Sequence, residues 1–174
     1  YAAAVILAQG ADIPGLNDSK KLTEKKREAL FPLIQQSALA WSVARVEAEE
    51  IDQTDILSAR IRAMQLAIEG LSLRPDFALI DGNRDHGRSA AITVPHWCVV
   101  KGDSISPSIA AASIVAKVER DALMVEYDQV YPGYDLASSK GYGSAAHRRA
   151  IAEKGLTPIH RVSYCKNFTE DRSL

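Results

Sequence analysis

Two short apolar runs in this chain each stop at an acid set in a glycine turn. Phe77-Ala78-Leu79-Ile80 leads into Asp81-Gly82-Asn83, and Trp97-Cys98-Val99-Val100 leads into Lys101-Gly102-Asp103. Apolar runs without polar alternation read as strands buried on both faces. In α/β proteins the chemistry gathers at the mouth of the sheet, beyond the strand ends. Two carboxylates arriving there suit one hard divalent cation, which takes oxygen ligands. The basic residues that flank such runs point to a phosphate-bearing substrate.

Positioning these acids requires a sheet and its covering helices, and the sequence alternates the two signals. Ala2-Ala3-Ala4-Val5-Ile6-Leu7 reads as an opening strand, followed by a turn through Gln9–Gly15 and a polar loop, Asn17-Asp18-Ser19-Lys20-Lys21. Thr23 and Glu24 start a helix as cap and first-turn acid. Pro32 is expected to kink or end that helix near Phe31, because it removes a donor and crowds the preceding turn. Leu39, Trp41 and Val43 alternate with smaller residues and mark a strand. The spacing of Leu57, Ile61, Met64, Ile68 and Leu71 predicts a helix over 54–70.

A polar turn is expected through Arg84–Arg88. An Ala-rich helix follows over 107–130, stopping before Pro132-Gly133, with Ser113, Lys117, Arg120 and Asp121 as a polar stripe. A last helix is expected from Ser144 to its glycine cap at Gly155. The fold class is α/β, with one domain over 1–156 and a tail over 157–174 that has no clear period and is open to being mobile.

The formal net charge is −1, with 21 Lys and Arg against 22 Asp and Glu. Such a chain does not coat polyanions indiscriminately, so any phosphate site must be a local patch. Cys98 and Cys165 have neither the number nor the spacing of a disulfide framework or zinc site. Cys98 is expected to be a small apolar filler in a buried strand. No stretch reaches membrane-spanning length and no basic signal region opens the chain, so cytoplasmic residence is the default expectation.

Several phrases resemble bacterial ribonuclease HII. They are Gly15-Leu16-Asn17-Asp18-Ser19-Lys20-Lys21-Leu22, Leu79-Ile80-Asp81-Gly82-Asn83 and Val100-Lys101-Gly102-Asp103. Ala111–Asp121 and Lys140-Gly141-Tyr142-Gly143-Ser144 with His147 complete the set, in the family's order and spacing. The resemblance implies an RNase H-like fold: a mixed central sheet flanked by helices, with a C-terminal helical region. It implies hydrolysis of RNA in RNA–DNA hybrids and cleavage on the 5′ side of ribonucleotides embedded in duplex DNA, by a monomer with no membrane partner.

The family's chemistry uses four carboxylates to hold two Mg²⁺ or Mn²⁺ ions. By resemblance, Asp81 and Asp103 are two of the four. The others belong to an Asp-Glu-x-Gly-Arg-Gly phrase that does not occur in these residues. In the family it precedes a run like Ala2–Leu7, so the first strand is expected to be N-terminally incomplete. Two carboxylates alone do not cage a metal pair, and activity of these residues by themselves is in doubt.

Substrate contacts implied by the matched phrases are Asn17, Ser19, Lys20, Lys21, Lys101, Lys117, Lys140 and Tyr142. The lysines would position phosphates, and the Tyr142 ring would stack at the RNA–DNA junction. Asp18 is expected to orient its own loop. Asp121 is a weaker candidate for an acid near the metals, since mid-helix acids are usually solvated. His147 is either a phosphate contact or a structural donor, and His86, His96 and His160 show no ligand spacing. Two rival readings stand beside the main one. One is another nuclease or transposase of the same fold, against which Lys140-Gly141-Tyr142 argues. The other is a hybrid-binding but non-catalytic fragment.

Overall fold

In a computed structural model, which describes residues 1–82 and 91–169, the opening apolar stretch forms β1 (Ala2–Leu7). It pairs antiparallel with β2 (Ala38–Ala44), from Ala2 opposite Ala44 to Leu7 opposite Ala38. The chain divides into two compact units, Tyr1–Val46 with Ile56–Glu119, and Glu47–Asp55 with Arg120–Leu174.

In the first unit, β1 is covered on both faces. Ala3, Val5 and Leu7 pack against a cluster that includes Ile34, Ala111, Ile114 and Val115. Ala2 and Ala4 pack with Ala63, Met64 and Ala67 of α3 (Ile56–Glu69). Between the two strands runs α1 (Glu24–Ser37), whose Thr23 cap accepts the Lys26 amide at 3.3 Å. Pro32 lies inside α1, so of the two expected outcomes, a kink or an end, the helix does not end there. Its ring faces solvent, so the carbonyl that loses a donor there can bond water, while Leu30 and Ile34 stay buried.

β3 (Ala78–Asp81) pairs parallel with β4 (His96–Val99), Asp81 lying opposite Val99. The mixed pairing expected of the sheet is thus present as one antiparallel and one parallel ladder. Burial on both faces is not observed for β3 and β4. Ile80 packs with Ile61 and Ile92, but Leu79, Trp97 and Cys98 are exposed. Trp97 is 71% exposed and meets Phe77 edge-to-face at 5.5 Å. Cys98 is therefore no core filler. The polar turn expected at 84–88 lies outside the described residues, as do Asn83 and His86.

α4 (Pro107–Val130) has the predicted bounds, and α6 (Ala145–Lys154) has the predicted caps, Ser144 and Gly155. The second unit adds three elements that periodicity did not reveal, α2 (Ala48–Gln53), α5 (Leu136–Ser139) and α7 (Val162–Thr169). Residues 162–169, expected to be part of a tail, are helical because their first turn is capped from α2. The Asp52 carboxylate accepts the amides of Val162 at 2.6 Å and Ser163 at 3.1 Å, and the Ser163 hydroxyl as well. The Ser163 hydroxyl bond is the main reason the Asp52 carboxyl is held below its ordinary range, with the two amides and Arg161 helping.

The core of the second unit gathers Tyr134, Leu136, Ala150, Ile151 and Cys165. Beside it His147 and His160 stack at 5.2 Å between ring centroids, and both are buried. His147 Nδ1 donates to the Tyr134 carbonyl at 2.5 Å. His160 Nδ1 accepts the Thr157 amide at 3.0 Å, which leaves its proton on Nε2 in the neutral ring. That Nε2 is buried without a hydrogen-bond partner among the described residues. Burial, and then the neighbouring His147, push the His160 pKa below its ordinary 6.5.

The folded state therefore holds fewer protons on His160 than the unfolded state does. Its contribution to stability is complete above the unfolded value and is lost as pH falls through the lower folded value. The thermal midpoint should drop between about pH 7.5 and about pH 5. His160→Gln should shrink that drop, and an unchanged difference between the two midpoints would show that this ring does not carry it.

Candidate active site

Asp81 ends β3, and its Oδ1 accepts the Gly102 amide at 3.0 Å. The Gly82 amide donates to the Val99 carbonyl at 3.1 Å, so the ladder closes just where the acid projects. On the neighbouring strand the geometry differs from the sequence expectation. β4 stops at Val99, the backbone turns through Lys101 in the left-handed region (φ 53°), and Asp103 sits in a 3-10 turn over Gly102–Ser104. Asp103 is thus a turn residue and not a strand end. Gly102 permits the approach: a Cβ there would lie 2.5 Å from Ile109 Cδ1 and 3.3 Å from Asp81 Oδ1.

Asp103 is only 7% exposed. Its pKa is pushed up, first by burial and then by the charges of Asp81 and Asp18, while Lys20 pulls the other way. Lys20 Nζ lies 4.0 Å from Asp103 Oδ2 on a largely exposed side chain. Lys21 Nζ donates to Ser104 Oγ at 3.3 Å. Both lysines of the polar loop therefore arrive at the turn that carries Asp103.

The loop's own bonds explain this reach. Asn17 Oδ1 accepts the Asp18 amide at 2.8 Å, and Asp18 Oδ1 accepts the Lys20 amide at 2.9 Å, capping a 3-10 turn over Ser19–Lys21. Asp18 orients its own loop. Ser19 is buried and its carbonyl accepts Arg27 Nη1 at 2.9 Å, while Asn17 and Lys20 face solvent. Lys101 is exposed and Lys117 is half-buried on α4.

The remaining candidates lie in the second unit. Tyr142 is 59% exposed, and the Arg120 guanidinium lies 4.8 Å from its ring centroid. Arg120 Nη1 also reaches Asp121 Oδ1 at 3.4 Å. Asp121 is buried, contrary to the expectation of a solvated acid in a polar stripe. Lys140 and Gly141 both take positive φ, 51° and 72°, and a Cβ on Gly141 would come within 2.9 Å of Met124 Sδ. The turn thus lies close over α4 and presents Tyr142 outward. His147 is the structural donor of its two alternatives, since its ring is buried in the stack with His160. Arg120's place against Tyr142 and the burial of His160 were not legible beforehand, because both depend on rings brought together from distant segments.

Within the first unit the residues brought together are Asp81, Asp103, Asp18, Lys20 and Lys21. In the second they are Arg120, Asp121 and Tyr142. The carboxylates around Asp103 suit a hard cation in kind, since their mutual repulsion is what a cation relieves. They fall short in number: among the described residues no group of three or more His, Cys, Asp or Glu side chains is placed to hold a metal ion. A cation at Asp81 and Asp103 would need further donors or water.

Comparison with known proteins converges on one family. The family model described as ribonuclease HII matches residues 1–167. Among solved structures, ribonuclease H2 from Pyrococcus horikoshii OT3 is similar, with 24% identity and a TM-score of 0.74, over 90% of this chain and 81% of that one. A chain from the PCNA:RNase HII complex of Archaeoglobus fulgidus is also similar, with 23% identity and a TM-score of 0.71, over the same shares of 90% and 81%. The two structures support the α/β fold, and the family model covers nearly the whole sequence. This chain belongs to the ribonuclease HII family.

Proposed function

We propose that this chain acts in a metal-dependent endoribonuclease that hydrolyses RNA in RNA–DNA hybrids and cleaves 5′ of ribonucleotides embedded in duplex DNA. Membership of the family supports a ribonuclease H-type nuclease. The observation that carries the finer reading is the convergence of Asp81 and Asp103 beside Lys20 and Lys21. Acids that repel one another suit a divalent cation, and lysines at the rim suit the phosphates that surround a scissile bond.

Mg²⁺ or Mn²⁺, when bound, would stabilise the charge that builds on the phosphate oxygens during in-line displacement. Asp81 and Asp103 are the residues that would hold it. Lys20 and Lys21 bind the substrate backbone near them, with Asn17 on the same loop. Lys101, Lys117 and Lys140 are further phosphate contacts. Tyr142 supplies an exposed aromatic face for the sugar or base at the junction. No helix among the described residues is long and apolar enough to cross a membrane, and the proposed setting is a cytoplasmic monomer acting on nucleic acid.

The test uses a polypeptide that carries an Asp-Glu-x-Gly-Arg-Gly phrase ahead of Tyr1. It should cut a duplex containing one ribonucleotide only when Mg²⁺ or Mn²⁺ is supplied. Hybrid binding without cutting would favour the non-catalytic reading instead. Asp103→Asn should lower turnover on the order of a hundredfold or more, the scale of metal-ion charge stabilisation, with duplex binding retained. Full activity in that variant would remove Asp103 from the site.

Tyr142→Ala probes a different property. Stacking on an aromatic ring is worth about 1–3 kcal/mol, so cleavage at a single ribonucleotide should fall roughly 5- to 150-fold. Cleavage within a long hybrid should fall less. Equal losses on the two substrates would show that Tyr142 does not read the junction.

A further inference from the structure

In the second unit, the turn that carries Tyr142 is fastened on both sides by its own backbone. Before it, Asp128 of α4 accepts the Leu136 amide at 2.9 Å, at the start of α5. The Lys140 amide donates to the Leu136 carbonyl and the Tyr142 amide to the Ser139 carbonyl, both at 2.9 Å. After it, the Ser144 amide donates to the Tyr142 carbonyl at 2.7 Å, and Ser144 is the cap of α6. These bonds set the backbone at residue 142. They leave the side chain its two torsions, and an exposed ring takes only part of its orientation from packing.

Arg120 supplies a wall for that ring. Its guanidinium lies 4.8 Å from the ring centroid, within the range of a cation–π contact. Arg120 is itself confined, its side chain being only 26% exposed. Its Nη1 reaches Oδ1 of the buried Asp121 at 3.4 Å, and its Nη2 lies 3.6 Å from where a Cβ on Gly141 would stand. Gly141, in the left-handed region, lets the turn settle onto Met124 with the guanidinium beside it. With one face of the Tyr142 ring taken by Arg120, an incoming sugar or base has the other to stack on.

We propose that Arg120 is a positioning residue for the RNA–DNA junction: stacked behind Tyr142, it holds the ring in one rotamer before substrate arrives. This inference rests on the junction role proposed for Tyr142. A ring already ordered spares the complex the loss of side-chain freedom that stacking otherwise costs. Arginine suits the task because its planar fork lies on a ring while its edge meets a carboxylate, which the point charge of a lysine does less well. Holding one side chain is worth roughly 2- to 10-fold in rate, less than the ring itself supplies.

The first experiment needs no nucleic acid. Tyrosines are isotope-labelled, and the Tyr142 signals are assigned by their loss in Tyr142→Phe. Three-bond couplings should report a single χ1 rotamer at Tyr142 in the unsubstituted chain and averaging over rotamers in Arg120→Met, which keeps the length of the side chain and removes its charge. Averaging already in the unsubstituted chain would overturn the proposal, without any variant having to fold.

The second experiment uses the polypeptide in which nuclease activity is tested. It takes the ratio of kcat/KM at a single ribonucleotide to kcat/KM within a long hybrid, a ratio from which any loss of folded enzyme cancels. Arg120→Met should lower this ratio roughly 2- to 10-fold. In a Tyr142→Ala background the same substitution should leave it unchanged, because no ring remains to be held. Equal falls in the two backgrounds, or a ratio that Arg120→Met does not move, would overturn the positioning role. If the unsubstituted polypeptide cuts neither substrate, the nuclease reading fails, and the couplings alone decide whether Arg120 holds Tyr142.

Discussion

The hydrogen bond from the Gly102 amide to Asp81 is the contact on which the candidate site depends. It ties the end of β3 to the turn that follows β4, and so fixes one acid against the segment carrying the other. The bond is possible because residue 102 has no side chain; a Cβ would press on Ile109 and on the Asp81 carboxylate. Lys101, held in the left-handed region, supplies the sharp change of direction just before it. A non-glycine residue in that region costs conformational energy. The packing around Gly102 and the bond to Asp81 offset that cost.

Electrostatics follow from this geometry. In a chain with net charge −1, a phosphate site must be made by local placement. The polar loop places its lysines by using its own side chains as internal caps, Asn17 for Asp18 and Asp18 for Lys20. Arg27 bonds the Ser19 and Leu22 carbonyls at 2.9 and 2.6 Å and ties the loop to α1. With the loop so held, Lys20 and Lys21 project to the Asp103 turn. The Lys20–Asp103 pair is long and exposed on the lysine side, a kind of contact that adds little stability.

Much of this was legible in the sequence where a local rule governs the outcome. The Thr23 and Ser144 caps, the Gly155 stop and the bounds of α4 follow from residue type and spacing alone. What was not legible depends on partners distant in sequence. Pro32 sits within a helix on its exposed side, where water can bond the carbonyl that loses its donor. The apolar run ending in Val100 looked buried on both faces, yet Trp97 and Cys98 are open because burial depends on which layers cover a strand. α7 exists through a cap contributed by Asp52, more than a hundred positions away. Of the site, the phrases located Asp81, Asp103 and the lysine loop. They could not show that Asp103 belongs to a 3-10 turn or that His147 is sealed beneath His160.

A comparison of Asp52, Asp121 and Asp103 shows how differently this fold treats a carboxylate. Asp52 accepts two amides and a hydroxyl, and those bonds stabilise its charge while they start α7. Asp121 is buried with the Arg120 guanidinium beside it. Asp103 is different: its burial and its neighbours Asp81 and Asp18 all oppose its ionised form, and Lys20, which favours it, lies at 4.0 Å. A fold gains nothing in stability by pressing a carboxylate against two others. Positive charge beside such a group offsets the repulsion, as Lys20 does in part here. The surroundings of Asp103 thus oppose its charge, whereas those of Asp52 stabilise it at the start of the helix it caps.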